Sequence, residues 1–152
     1  MSKRILVSSL IGVAVIGAVA AGGLAMASTS AELTVKNSSA SYLAPSGSGA
    51  GSLTFTADVS DDSGIRELKV VAWPASSKLN PTEADLRSAE HTERAKCRST
   101  SDETSRCTYT PRVTKEEAAE MGRGTWHVSA LATAKDGDTK FVPRAAAFDI
   151  AR

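Results

Sequence analysis

Carboxylates are the groups in this 152-residue chain whose spacing points most directly at chemistry. They stand in three short clusters: Asp61 and Asp62 within SDDSG, Asp102 and Glu103 within RSTSDETSR, and Asp136 and Asp138 within KDGDTK. Closely spaced oxygen donors are what a hard cation such as Ca²⁺ takes as ligands, with the weak affinity of extracellular modules. Asp61, Asp62, Asp136 and Asp138 are the candidates for that role. The same stretches are also good turns, because aspartate side chains bond nearby backbone and the glycines reach positive φ, and that reading needs no ligand.

Nothing in the sequence assembles a catalytic constellation. His91 and His127 are the only histidines, and neither stands in a nucleophile, metal or phosphate-loop motif. Glu116, Glu117 and Glu120 fall on a short capped helix and read as a solvated face. Cys97 and Cys107 have only each other to pair with, so in an exported chain they form one disulfide and leave no thiol nucleophile. No enzyme and no cofactor are expected.

The address comes from the first residues. Lys3 and Arg4 precede an apolar stretch running to about Ala21, and Ala25-Met26-Ala27 is a small-x-small cleavage pattern, so residues 1–27 read as a secretory signal peptide and 28–152 as one secreted, extracellular domain. The alternative is an uncleaved anchor, since about 20 apolar residues can cross a bilayer. A formal net charge of +1 with no basic tract argues against nucleic acid and, after cleavage, against anionic membrane as partners.

Those candidate residues need strands to position them. Trp126, Val128, Ala130, Ala132 and Ala134 share one parity, with Leu131 the one large apolar residue of the other, and after Asp136-Gly137 a second strand keeps Ala146, Phe148 and Ile150 together. That is a hairpin with one apolar face that needs a covering sheet. Leu53, Phe55, Ala57 and Val59 alternate likewise, whereas Ile65 to Trp73 has apolar groups on both faces, as in a central strand. A turn centred on residue 102 puts the cysteines directly opposite each other. Asn80-Pro81-Thr82-Glu83 starts one short helix, with Asn80 as cap, and Thr114 to Glu117 fits a capping box for a second that ends at Gly122. The tally is about seven strands, A at 33, B at 53, C at 65, D at 93, E at 105, F at 125 and G at 141, with two short helical inserts.

LTFTADVSDDSGIRELKVVAWP, TKEEAAEMGRG and TWHVSALATAKDGDTKFV together resemble bacterial immunoglobulin-like and fibronectin-III-like domains, and the chain from residue 28 is similar to an uncharacterised family of small secreted actinobacterial proteins with such a β-sandwich. The resemblance implies an all-β, Ig-like Greek-key sandwich. In that topology the B-C, D-E and F-G loops gather at one end. Asp61, Asp62, Asp102, Glu103, Asp136 and Asp138 then converge there, ringed by Arg98, Arg106, Lys135 and Lys140, with the disulfide bracing the middle loop. The expected function is a non-catalytic binding or structural module, acting as a monomer on an extracellular protein or envelope component through those loops. Two alternatives are a calcium-binding extracellular module and a secreted protease inhibitor presenting the D-E loop, with Arg98 or Arg106 entering a trypsin-like specificity pocket. A sugar platform on Tyr42, Trp73 or Leu131 conflicts with an aromatic content of only 5%, most of which a core needs.

Overall fold

Residues 31–88 and 92–151 are described by a computed structural model of the chain. The signal-peptide reading of residues 1–27 and His91 lie outside the described residues. Two antiparallel sheets pack face to face as an all-β sandwich with two small helices. One sheet has the order β1-β2-β6-β5, formed by Thr34–Leu43, Gly51–Ser60, Thr104–Tyr109 and Lys96–Ser99, with the two-residue β7, Arg112–Val113, pairing β2 beyond them. The other has the order β4-β3-β8-β9, formed by Glu93–Arg94, Ile65–Pro74, Gly124–Ala134 and Thr139–Ile150.

The core is built from the parities that the sequence displays. Leu53, Phe55, Ala57 and Val59 from β2 face Leu68 and Val70 from β3, Val128, Ala130, Ala132 and Ala134 from β8, and Phe148 and Ile150 from β9, all buried. Cys107 is fully buried among them and Cys97 packs against them, directly opposite in the β5–β6 register. The Cys97–Cys107 disulfide therefore ties an edge hairpin from inside the sandwich.

Four expectations about the elements change. Strand A is one ten-residue strand, because a bulge at Asn37, with φ of 51°, absorbs the irregular segment and pairing with β2 resumes at Ser39. Strand D divides: Glu93 and Arg94 pair with β3, Ala95 donates its N–H to the Leu68 carbonyl, and Lys96–Ser99 crosses to pair with β6 in the other sheet. The first helix, α1 (Glu83–Arg87), is capped by Thr82 rather than Asn80, with a capping box closed by Asp85. The second, α2 (Lys115–Glu120), is capped by Thr114 with Glu117 completing its box, and Met121 rather than Gly122 is its C-cap.

Leu131 is on the outward parity yet only 2% exposed, and Trp73 is 4% exposed. On the outer side α1 packs on β3 and β8 and inserts Leu86, fully buried, while Trp73 lies against His127 and under the Arg144 guanidinium. Five residues are far too few for a helix to hold itself in water. Burying Leu86, worth about 2 kcal/mol, is what fixes α1 over the sheet.

Candidate functional site

The end of the sandwich where β2 exits is joined by main-chain hydrogen bonds between three loops. Asp61 N–H donates to the Glu103 carbonyl at 2.8 Å, linking the β2–β3 loop to the β5–β6 loop, and Lys135 N–H donates to the Gly64 carbonyl at 2.9 Å, linking it to the β8–β9 loop. Asp136 N–H also reaches Ser63 Oγ, and Arg66 clamps the Lys135 carbonyl at 2.8 Å. Gly64 (φ 86°) and Gly137 (φ 105°) take the left-handed conformations these turns require, and a Cβ on Gly64 would also press on the Lys135 side chain. The B-C, D-E and F-G loops do meet.

Within this end the carboxylates divide. Asp61, Asp136 and Asp138 each offer an oxygen such that all three atoms lie within 4.8 Å of one another. Asp61 is only 2% exposed, while the other two are open to solvent. Its Oδ1 accepts from Ser63 N–H at 2.9 Å and from the Ser63 hydroxyl, but its Oδ2 is buried with no hydrogen-bonding partner among the described residues. Asp136 Oδ1 caps its own turn by accepting from Asp138 N–H at 3.0 Å. Asp62 stands apart from the trio, its Oδ2 accepting from Ala31 N–H at 3.1 Å. Asp102 and Glu103 are at the solvent-exposed β5–β6 tip. Ser63, which ties Asp61 to Asp136, is missed by the sequence reading, although a hydroxyl two residues after an aspartate is a recognised partner in such turns.

Among the described residues none of the expected cations forms an ion pair with these loop carboxylates. Arg98 and Arg106 are opposite each other in the β5–β6 register, and because their cysteine neighbours point inward both lie on the outer sheet face. Arg106 instead grips Asp58 of β2 with two bonds of 2.8 and 2.9 Å, and Asn37 adds a third at 2.9 Å. The Arg106 guanidinium foremost, and then the Asn37 amide, hold the Asp58 carboxyl down at about 2. Lys140 pairs with Glu32 at 2.7 Å, which lowers the Glu32 carboxyl below its usual range. Lys135 lies within the β8–β9 loop, its ammonium against Gly64.

His127 packs against the Trp73 ring at 4.9 Å, and its Nδ1 is buried without a partner among the described residues. Beside it, Trp73 Nε1 donates to Ser129 Oγ at 2.9 Å, and Ser129 donates in turn to the Pro143 carbonyl at 2.6 Å, across the bulge where β8 and β9 lose register. This chain satisfies buried polar groups. Of the three residues considered for a sugar platform, Trp73 and Leu131 are buried, and Tyr42 is half-buried with its ring stacked on Phe148 at 6.3 Å.

No helix among the described residues is long and apolar enough to cross a membrane. No curated protein matches the chain. A family profile does match, over residues 35–132, a span that takes in Asp61 and the disulfide but ends just before Asp136 and Asp138. With that span covering well over half of its length, the chain belongs to DUF5707, a family of unknown function.

Proposed function

We propose that this protein is an exported, non-catalytic binding module, an immunoglobulin-like Greek-key sandwich that presents its β2–β3, β5–β6 and β8–β9 loops, as a monomer, to an extracellular protein or envelope component. The strand order supports the topology: β1-β2-β6-β5 facing β4-β3-β8-β9 corresponds to ABED facing C′CFG, with the divided fourth strand serving both sheets. An internal disulfide and an N-terminal leader pattern support export.

The observation that carries the function is the main-chain wiring of three sequence-distant loops into one acidic platform. Asp62, Asp102, Glu103, Asp136 and Asp138 are exposed there on backbone already fixed by Asp61 to Glu103 and Lys135 to Gly64. Loops ordered before encounter do not lose that entropy on binding, so the platform suits recognition of a cationic partner surface. The non-catalytic reading is supported by the packing of half-buried His127 against Trp73 and by the hydrogen bonds that engage buried Ser129.

The test is a pull-down from culture supernatant and envelope extract with the wild-type protein and two variants. Asp62→Ser/Asp102→Ser/Glu103→Ser alters exposed tips, and Arg98→Ser/Arg106→Ser alters the outer face of β5–β6. A partner held by the wild type and the arginine variant but lost by the tip variant is the expected result. Retention by the tip variant and loss by the arginine variant would move the working surface to the sheet face and overturn the reading.

A further inference from the structure

We infer that Asp61, Asp136 and Asp138 form a Ca²⁺ site that clamps the β2–β3 loop to the β8–β9 loop. Acidic turns alone would not justify this, since the turn roles of Asp61 Oδ1 and Asp136 Oδ1 are already met by Ser63 and Asp138. What those roles leave over is Asp61 Oδ2, a carboxylate oxygen buried without a hydrogen-bonding partner among the described residues, in a residue that is 2% exposed. A buried carboxylate oxygen is costly unless a donor or cation meets it. The groups gathered around this residue are instead two more carboxylates. The ion pairs among the described residues use Glu32, Asp58, Glu67 and Glu83, and none reaches the trio. Three carboxylates are thus held close by the loops' hydrogen bonds with no ion pair of their own among the described residues, an arrangement that a bound cation would stabilise.

Size and donor type choose the cation. Oxygens opposite one another across a Ca²⁺ ion are about 4.6–5.2 Å apart, so three ligand atoms within 4.8 Å of one another fit a single coordination sphere. The donors are all carboxylate oxygens, with no histidine or thiolate to favour zinc. Mg²⁺ demands a tighter, near-octahedral shell and gives up water reluctantly, whereas Ca²⁺ accepts the irregular set that two turns provide. The trio offers one oxygen from each carboxylate toward the about six to eight that Ca²⁺ takes, and main-chain carbonyls or water would complete the shell. Asp61 leaves β2 of one sheet, while Asp136 and Asp138 connect β8 and β9 of the other. Bound Ca²⁺ is therefore an inter-sheet clamp at the loop end, a linkage the intra-sheet disulfide does not provide. This inference rests on the trio's geometry and stands without the binding-module reading, which only sets the Ca²⁺ concentration the protein meets.

The experiment is a CaCl₂ titration of the purified protein in chelator-treated buffer at physiological ionic strength, followed by amide NMR shifts and melting temperature, with MgCl₂ in parallel. Saturable 1:1 binding with Kd on the order of 10⁻⁴–10⁻³ M is expected, with shifts centred on residues 61–64 and 135–138 and a raised Tm. Asp138→Asn and Asp136→Asn, which both lie at exposed positions, should each weaken binding by at least about tenfold while leaving the cation-free spectrum native. Lack of saturation at about 10 mM Ca²⁺, shifts centred elsewhere, or undiminished binding in both variants would overturn the site. Tighter binding of Mg²⁺ than of Ca²⁺ would overturn the choice of ion. Repeating the pull-down in chelator separates the two ideas, because a partner can be lost without the metal site failing, and the reverse.

Discussion

Asp58 and Asp61 are three residues apart at the end of the same strand, and the protein treats them in opposite ways. Asp58, on the outer face of β2, has both oxygens engaged by Arg106 and a further bond from Asn37. Asp61, just past the strand, is buried beside two more aspartates with Oδ2 unpartnered. An aspartate opposite a guanidinium is part of the scaffold, and its charge is spent on cross-strand pairing. An aspartate opposite aspartates is held in place by something else, here Ser63 and the main-chain bonds of three loops. That contrast is what singles out the loop end, since the paired carboxyl has both oxygens satisfied by the fold and the other keeps one oxygen without a partner among the described residues.

The sharpest way to break the contrast is to loosen the hairpin that both residues depend on. Reducing the Cys97–Cys107 disulfide is expected to cost about 3 kcal/mol, by the loop-closure argument for a bridge closing so short a segment. Chemical denaturation with and without reductant measures this. Because β6 carries Arg106, and the β5–β6 loop carries the Glu103 carbonyl that holds Asp61 N–H, amide exchange should accelerate at both 58 and 61.

Neutralising each aspartate comes next, and the two changes should differ in sign. In chelator, Asp61→Asn is expected to stabilise the fold by about 1 kcal/mol, because it removes a like charge and gives the buried position a donor facing carboxylates. Asp58→Asn is expected to destabilise by a similar amount, since it strips the charge from a bidentate pair. In Ca²⁺ the Asp61→Asn advantage should vanish as the wild type gains the ion. Parallel melts in chelator and in Ca²⁺ decide it, and destabilisation by both in chelator would erase the distinction.

The smallest effect is titration of the paired residue. The Asp58 carboxyl, at about 2 in the folded protein, lies below its unfolded value near 3.9. Its contribution is therefore complete above about pH 4 and is lost as pH falls towards 2. The pair is exposed on the arginine side, so solvent screens it and Arg106→Ala should destabilise only slightly at neutral pH. The variant should also flatten that part of the acid limb, which stability curves from pH 5 to 2 would show.

Much of this was legible in single residues. The inward sets of β2, β8 and β9 follow from strict alternation, and the facing cysteines follow from a turn centred on residue 102. The same parity argument could have placed Arg98 and Arg106 on the outer face, since neighbours of inward cysteines must point outward. The burial of Leu131 was not legible, because parity names a face but not what covers it, and α1 arrives over that face from residues 83–87. Nor was the division of the fourth strand at Ala95, where adjacent residues pair with different sheets. Thr82 displaced Asn80 as cap because Asp85 stands at the right spacing to close a box with threonine.

The sequence by itself determined most of the strands, their inward faces, the turn chemistry and the one disulfide, because each depends on residues near one another in the chain or on a period of two. The tertiary structure alone decided which carboxylates would meet and which would be neutralised. Asp61, Asp62, Asp136 and Asp138 look alike as turn residues. Only the packing of one sheet on the other buries Asp61 beside Asp136 and Asp138, leaves Asp62 to the Ala31 amide, and turns Arg106 away to Asp58. Electrostatic environment is set by distances through space, and between residues 61 and 136 that distance is a property of the fold.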